Sequence, residues 1–161
     1  ARVPYAVNGK YFLSYDDPQA IREKAEYIVN NDLGGIIVWQ VHGDISLAKQ
    51  LGAGLHLPAK LLNTLAVEQW GGVASLSASI HSAAELKRAA ALGVNFAVLG
   101  PVQATHTHPH ADTLGWACFA DIVASASMPV YALGGMQRAD TAKALACGAQ
   151  GVAGIGLFAR N

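Results

Sequence analysis

The chain has almost no net charge to offer: Lys+Arg 11 against Asp+Glu 11 gives a formal charge of +0, and charged residues make up only 14% of it. A field that would draw in nucleic acid or an anionic membrane is therefore excluded. Cysteine is nearly absent too. Cys118 and Cys147 are the two, and both fall in helical patterns without CxxC or metal-ligand spacing, so a disulfide framework is excluded and buried free thiols of a reducing compartment are expected. Apolar residues are plentiful at 52%, yet Gly, Pro and charge interrupt every run before the roughly 20 residues a bilayer span needs. No leader-like segment heads the sequence, and a cytoplasmic location is the expectation. With 161 residues, one domain with one core is expected.

What is present is an alternation of strand and helix. Strand candidates lie at Tyr11–Tyr15, Gly35–Val41, Gly54–Leu57, Val73–Ile80, Phe96–Val102, Val130–Leu133 and Val152–Ile155, most followed by an amphipathic segment. Such βα repetition predicts a parallel sheet covered by helices. Asp17-Pro18 suits a helix start, and Ser82-x-x-Glu85 reads as a capping box. Gly52, Gly93 and Gly148 stand where helix ends call for positive φ. Val3–Val7 and Lys10–Leu13 flank Asn8-Gly9, a hairpin signal, so the first strand is expected antiparallel to the second. Eight-stranded barrels typically take about 250 residues and seldom fewer than about 200, so this chain is short of a full set. The expected fold is α/β: a shortened (β/α) barrel-like parallel sheet with an N-terminal β-hairpin, preferred over an open doubly wound sheet. Closure by the hairpin strand or by a second copy in a homodimer would hide the sheet edge.

From Asp44 onward the chain resembles the thiamine phosphate synthase family, in particular the synthase-like domain joined to some Nudix hydrolases. The residues that carry this are Gly43–Ala48, Gly54-Leu55-His56-Leu57, Ser79-x-His81-Ser82-x-x-Glu85-Leu86, Gly100-Pro101-Val102 with Thr105-His106-Thr107-His108, Ala132–Gly135 and Gly151–Ala153. Val3 to Gly43 is similar instead to the last part of family 18 chitinases, through Val3-Pro4-Tyr5, Tyr15-Asp16-Asp17-Pro18, Lys24-x-x-Tyr27-Ile28, Gly34-Gly35 and Trp39. The two resemblances meet near His42-Gly43-Asp44.

The synthase resemblance implies a phosphate site at Gly134, Gly135, Gly154, Ile155 and Gly156, with Ser79, Thr105, Thr107 and His108 facing the phosphate. Glycines allow close backbone approach, and a helix N-terminus favours negative charge. As plain turn glycines they would need no ligand. The family reaction joins a phosphorylated thiazole to a pyrimidine pyrophosphate, which implies Mg²⁺ and cations that stabilise departing pyrophosphate. The resemblance places one metal ligand at Asp44, which also fits a helix cap. The sequence departs from the pattern elsewhere: Pro58-Ala59-Lys60 lacks the second aspartate, the early basic pair is missing, and His108 replaces the usual lysine. A partly protonated His108 would restore some of that charge. The run Thr105-His106-Thr107-His108-Pro109-His110 could ligate Zn²⁺ or Ni²⁺, but alternation on a proline-bearing loop points neighbours apart, and a solvated loop is the better reading.

On the chitinase side, the acidic catalytic element is absent, Trp39 reads first as core, and Asp16 and Asp17 read as turn and cap. Together these departures predict a recombined or engineered barrel scaffold that binds a small phosphate or pyrophosphate without native turnover. The alternative is a thiamine phosphate synthase-like transferase; the second alternative is chitinase-like sugar binding.

Overall fold

The computed structural model describes residues 5–8, 11–14, 19, 22–23, 26–27, 30, 37–38, 45, 48–49, 52, 54–64, 66, 70–105 and 111–154; of 5–8, 11–14 and 37–38 it describes the backbone. The chain divides into two compact units, Ala1–Ile37 and Val38–Asn161. In the first, β1 (Tyr5–Asn8) and β2 (Tyr11–Ser14) pair antiparallel as expected. Asn8 pairs with Tyr11, so it is the last ladder residue and not the first residue of the turn. The helix start at Asp17-Pro18 lies outside the described residues.

The two-residue strand β3 (Ile37–Val38) falls at the division between the units. The second unit carries β4 (Gly54–Leu57), β5 (Ser75–Ile80), β6 (Phe96–Leu99), β7 (Val130–Leu133) and β8 (Gly151–Ala153), each parallel to the next and in sequential order. Sequential parallel order with right-handed crossovers puts every connecting helix on one face. A doubly wound sheet would reverse its order partway and place helices on both. The expectation of a barrel-like sheet holds on this ground.

The helices are α1 (Ala83–Ala91), α2 (Gly115–Val123) and α3 (Thr141–Ala146). Their apolar stripes bury Leu86 and Ala89 from α1, Phe119, Ile122 and Val123 from α2, and Ala144 from α3. Pleating sends Leu55, Leu57, Leu76, Ala78, Ile80, Ala97, Leu99, Val130 and Ala132 to one face, and all of them are buried. That face holds the core. The opposite face presents His56, Ser77, Ser79, Phe96, Val98, Tyr131 and Leu133, and only the first two of these are fully buried. Phe96 and Tyr131 meet there edge to face, with centroids 5.9 Å apart.

Helix ends follow the glycines. Gly93 and Gly148 have φ of 72° and 86°, and Val94 N–H and Ala149 N–H reach back to Ala89 and Ala144 carbonyls at 3.1 and 3.0 Å. These are Schellman closures, and they stop α1 and α3. At the start of α1, Ser82 Oγ accepts from Glu85 N–H at 3.2 Å, but the Glu85 carboxylate accepts from His81 N–H at 2.5 Å in place of the cap residue's own amide. The box is thus displaced by one residue on its return side. Ser82→Ala should cost about 1 kcal/mol in chemical denaturation through loss of that cap.

Cys118 and Cys147 are free, as expected, but neither is buried: Cys118 is exposed and Cys147 is intermediate. The reason is that α2 turns Phe119, Ile122 and Val123 to the core and leaves Cys118 off that stripe. Among the described residues no helix is long and apolar enough to cross a membrane.

Candidate functional site

Parallel strands deliver all their C-terminal ends to one rim of the sheet, and the following loops must be accommodated there. After β6, Gly100-Pro101-Val102-Gln103 does not continue the ladder but turns sideways onto the end of β7. Val102 N–H donates to Leu133 O at 2.8 Å and Gln103 N–H to Gly134 O at 3.1 Å. The approach is too close for side chains. A Cβ on Gly100 would lie 2.1 Å from Leu133 O, one on Gly134 2.6 Å from Pro101 Cα, and one on Gly135 2.4 Å from Ala104 O. Gly134 and Gly135 also have positive φ, 95° and 67°, which glycine adopts at little cost. Both glycines are therefore required by the packing of one loop on another, quite apart from any ligand.

Beyond them, Gln137 N–H donates to Asp140 Oδ2 at 2.9 Å, and Gln103 Nε2 donates to the same oxygen at 3.2 Å. A carboxylate thus closes the first turn of the segment leading to α3 and ties it to the β6 loop. At the end of β5, His81 Nδ1 bonds the Gly100 carbonyl. A carbonyl only accepts, so Nδ1 carries a proton in this contact. The His81 side chain is exposed.

One layer further in, the paired positions His56 and Ser77 share a face with Ser79. His56 Nδ1 is 2.8 Å from Ser77 Oγ, and Nε2 is 2.8 Å from Ser79 Oγ. The ring is 2% exposed, and burial lowers its pKa from 6.5 to about 4 because desolvation disfavours the charged form. It is neutral at pH 7.

Of the residues expected at the site, the structure brings Gly134 and Gly135 onto the rim beside the loop that leads to Thr105, sets Gly154 directly after β8, and seats Ser79 half-buried below the rim. Asp44, Thr107, His108, Ile155 and Gly156 lie outside the described residues, as do Trp39, Asp16, Asp17 and the histidines from His106 to His110. Among the described residues no group of three or more His, Cys, Asp and Glu could hold a metal ion. The Mg²⁺ expectation therefore rests on Asp44. The sequence reading missed His56, His81, Gly100 and Gln103 as site-building residues. The one signal for the first two was their place at strand ends within matching motifs.

Comparison with known proteins places this geometry. The model of the thiamine monophosphate synthase family matches residues 17–158, across the junction near His42-Gly43-Asp44. A putative thiamine-phosphate synthase 2 of Aquifex aeolicus is 32% identical over 115 residues, 71% of this chain and 61% of the relative. A thiamine-phosphate synthase of Methanoculleus marisnigri is 34% identical over 142 residues, 84% of this chain and 63% of the relative. The chain thus spans about three-fifths of the length of these relatives. Among solved structures, a thiamine phosphate pyrophosphorylase from Pyrococcus furiosus superposes with a TM-score of 0.66 at 20% identity, over 89% of this chain and 69% of that one. That likeness supports the fold. A short match to a putative chitinase 1 of Margaritifera margaritifera, 48% identical over 42 residues, covers 26% of this chain and 9% of that protein. The long match and the short one differ in reach: the family model takes in residues 17–158, most of the sequence, and the chain belongs to the thiamine monophosphate synthase family.

Proposed function

We propose that the chain is a thiamine phosphate synthase-like transferase acting on a phosphorylated thiazole and a pyrimidine pyrophosphate, with its anion site on the rim formed by the ends of β5 to β8. The observation that supports this most is the family match over residues 17–158, and the loops Gly100–Ala104 and Gly134-Gly135, stitched together at the strand ends, stand where a phosphate ester is held in barrels of this kind. Ser79, Thr105, Thr107 and His108, with the amides of Gly134, Gly135, Gly154, Ile155 and Gly156, are the groups proposed to face the phosphates. Donors of this kind stabilise charge that grows on the departing pyrophosphate. Mg²⁺, when bound, would add charge neutralisation there, and Asp44 is the proposed ligand.

The reading of the chain as a recombined or engineered scaffold without turnover gains no support: the family match runs unbroken through the junction from residue 17 to 158. Chitinase-like sugar binding rests on matches as short as 42 residues, in a sequence without that family's acidic catalytic element. The transferase reading predicts Mg²⁺-dependent formation of thiamine phosphate from the two phosphorylated precursors, lost in Asp44→Ala. A cooperatively folded protein with no product at any Mg²⁺ concentration would contradict it. A homodimer in which a second copy hides the sheet edge is proposed with it, and sedimentation equilibrium decides that point.

A further inference from the structure

The stitch between the β6 and β7 loops has two parts of different kinds. Its inner part is backbone, with Val102 N–H on Leu133 O at 2.8 Å and Gln103 N–H on Gly134 O at 3.1 Å. Its outer part is a side-chain bond, from Gln103 Nε2 to Asp140 Oδ2 at 3.2 Å. A carboxylate oxygen only accepts, so the amide nitrogen of Gln103 is the donor. The same oxygen accepts from Gln137 N–H at 2.9 Å, and Asp140 thereby fastens the residues that follow Gly134-Gly135 to Gln103. Both Gln103 and Asp140 are half-buried. Thr105 lies two positions after Gln103, and Gly135 lies two positions before Gln137. These are groups proposed above to face the phosphates, and both inner bonds stop short of them.

We propose that Gln103 is a positioning residue for the anion site: its bond to Asp140 fixes the spacing of Thr105 and Gly135 before a ligand arrives. This inference rests on the anion-site reading. Donors held in place in advance spare the ligand the cost of ordering two loops, and the gain appears as affinity. Loss of the side-chain bond leaves the inner bonds in place, and with them the fold. The role is thus separable from that of Gly100, Gly134 and Gly135, which the packing itself requires.

Calorimetric titration with inorganic pyrophosphate tests this in chains of equal net charge: wild type, Gln103→Met, Gln103→Asn, and the exchanged pair Gln103→Glu with Asp140→Asn. Methionine keeps the length of the side chain and lacks the donor, while asparagine keeps the amide and is one methylene too short to reach Asp140. In the exchanged pair the new asparagine's nitrogen donates to the new glutamate, and its oxygen still accepts from Gln137 N–H. Gln103→Met and Gln103→Asn should each weaken binding about fivefold, the worth of one hydrogen bond, and the exchanged pair should return to within about twofold of wild type. Cooperative thermal unfolding shows that each chain is folded at the titration temperature, so a bond with only a structural role would leave affinity unmoved. Wild-type affinity in both single variants, or a loss in the exchanged pair as large as theirs, would overturn the positioning role and leave the anion-site reading standing. If wild type itself does not bind pyrophosphate, the anion-site reading falls and the positioning role with it.

Discussion

Gly100→Ala should destabilise the protein by about 3 kcal/mol, with a fall in Tm of roughly 10 °C at this chain length. The added Cβ would lie 2.1 Å from the Leu133 oxygen and 2.8 Å from its carbonyl carbon, and neither is the movable end of a side chain. Relief requires the β6 and β7 ends to part, which breaks the 2.8 Å bond from Val102 N–H to Leu133 O. Overpacking alone costs roughly 1–3 kcal/mol, and the lost hydrogen bond adds about 1. Gly93→Ala is the informative comparison: Gly93 has positive φ, 72°, where Gly100 does not, and its Cβ would meet open space. It should cost only the left-handed backbone penalty, about 1–2 kcal/mol. Equal losses in the two variants would mean that the rim is not tightly stitched. Thermal and denaturant unfolding of the pair measures the difference directly.

The second large effect concerns acid. His56 has a folded pKa lowered to about 4 against 6.5, so between these values the unfolded chain binds a proton that the native protein refuses. Stability therefore rises with pH across that window, is fully recovered above about 6.5, and is lost progressively as pH falls toward 4. A shift of this size corresponds to as much as about 3 kcal/mol. That figure is an upper one, because both serine hydroxyls can turn to accept from a doubly protonated ring. His56→Gln should flatten the acid limb of the stability profile while lowering stability at pH 7. An acid limb of unchanged slope in that variant would show that other groups govern it.

Where the sequence could be read and where it could not follows from how local each determinant is. Gly54–Leu57 and Val130–Leu133 were legible to the residue, since Gly, Pro or the end of an apolar run bounds each. Phe96–Val102 was read too long. Gly100-Pro101 breaks the strand-like run of Phe96–Leu99, and Val102 and Gln103 leave the ladder to bond Leu133 and Gly134, more than thirty positions away. Val73 was likewise included in a strand, although its N–H closes a turn onto Trp70 O at 3.1 Å. Helix ends at Gly93 and Gly148 were predictable because the requirement for positive φ is local. His56 was not. It sits between two buried leucines, and its meaning comes from serines 21 and 23 positions away that only strand register brings within 2.8 Å. The glycine pair Gly134-Gly135 was found for one reason, phosphate binding, and the structure supplies another, close packing against the β6 loop.

The central claim is that the ends of β5 to β8 form an anion site. Calorimetric titration of the purified protein with inorganic pyrophosphate, with and without Mg²⁺, tests it most directly. Saturable binding near one ligand per chain is the predicted result. No heat from a protein that still unfolds cooperatively would contradict it, and would leave the family's fold here without its ligand.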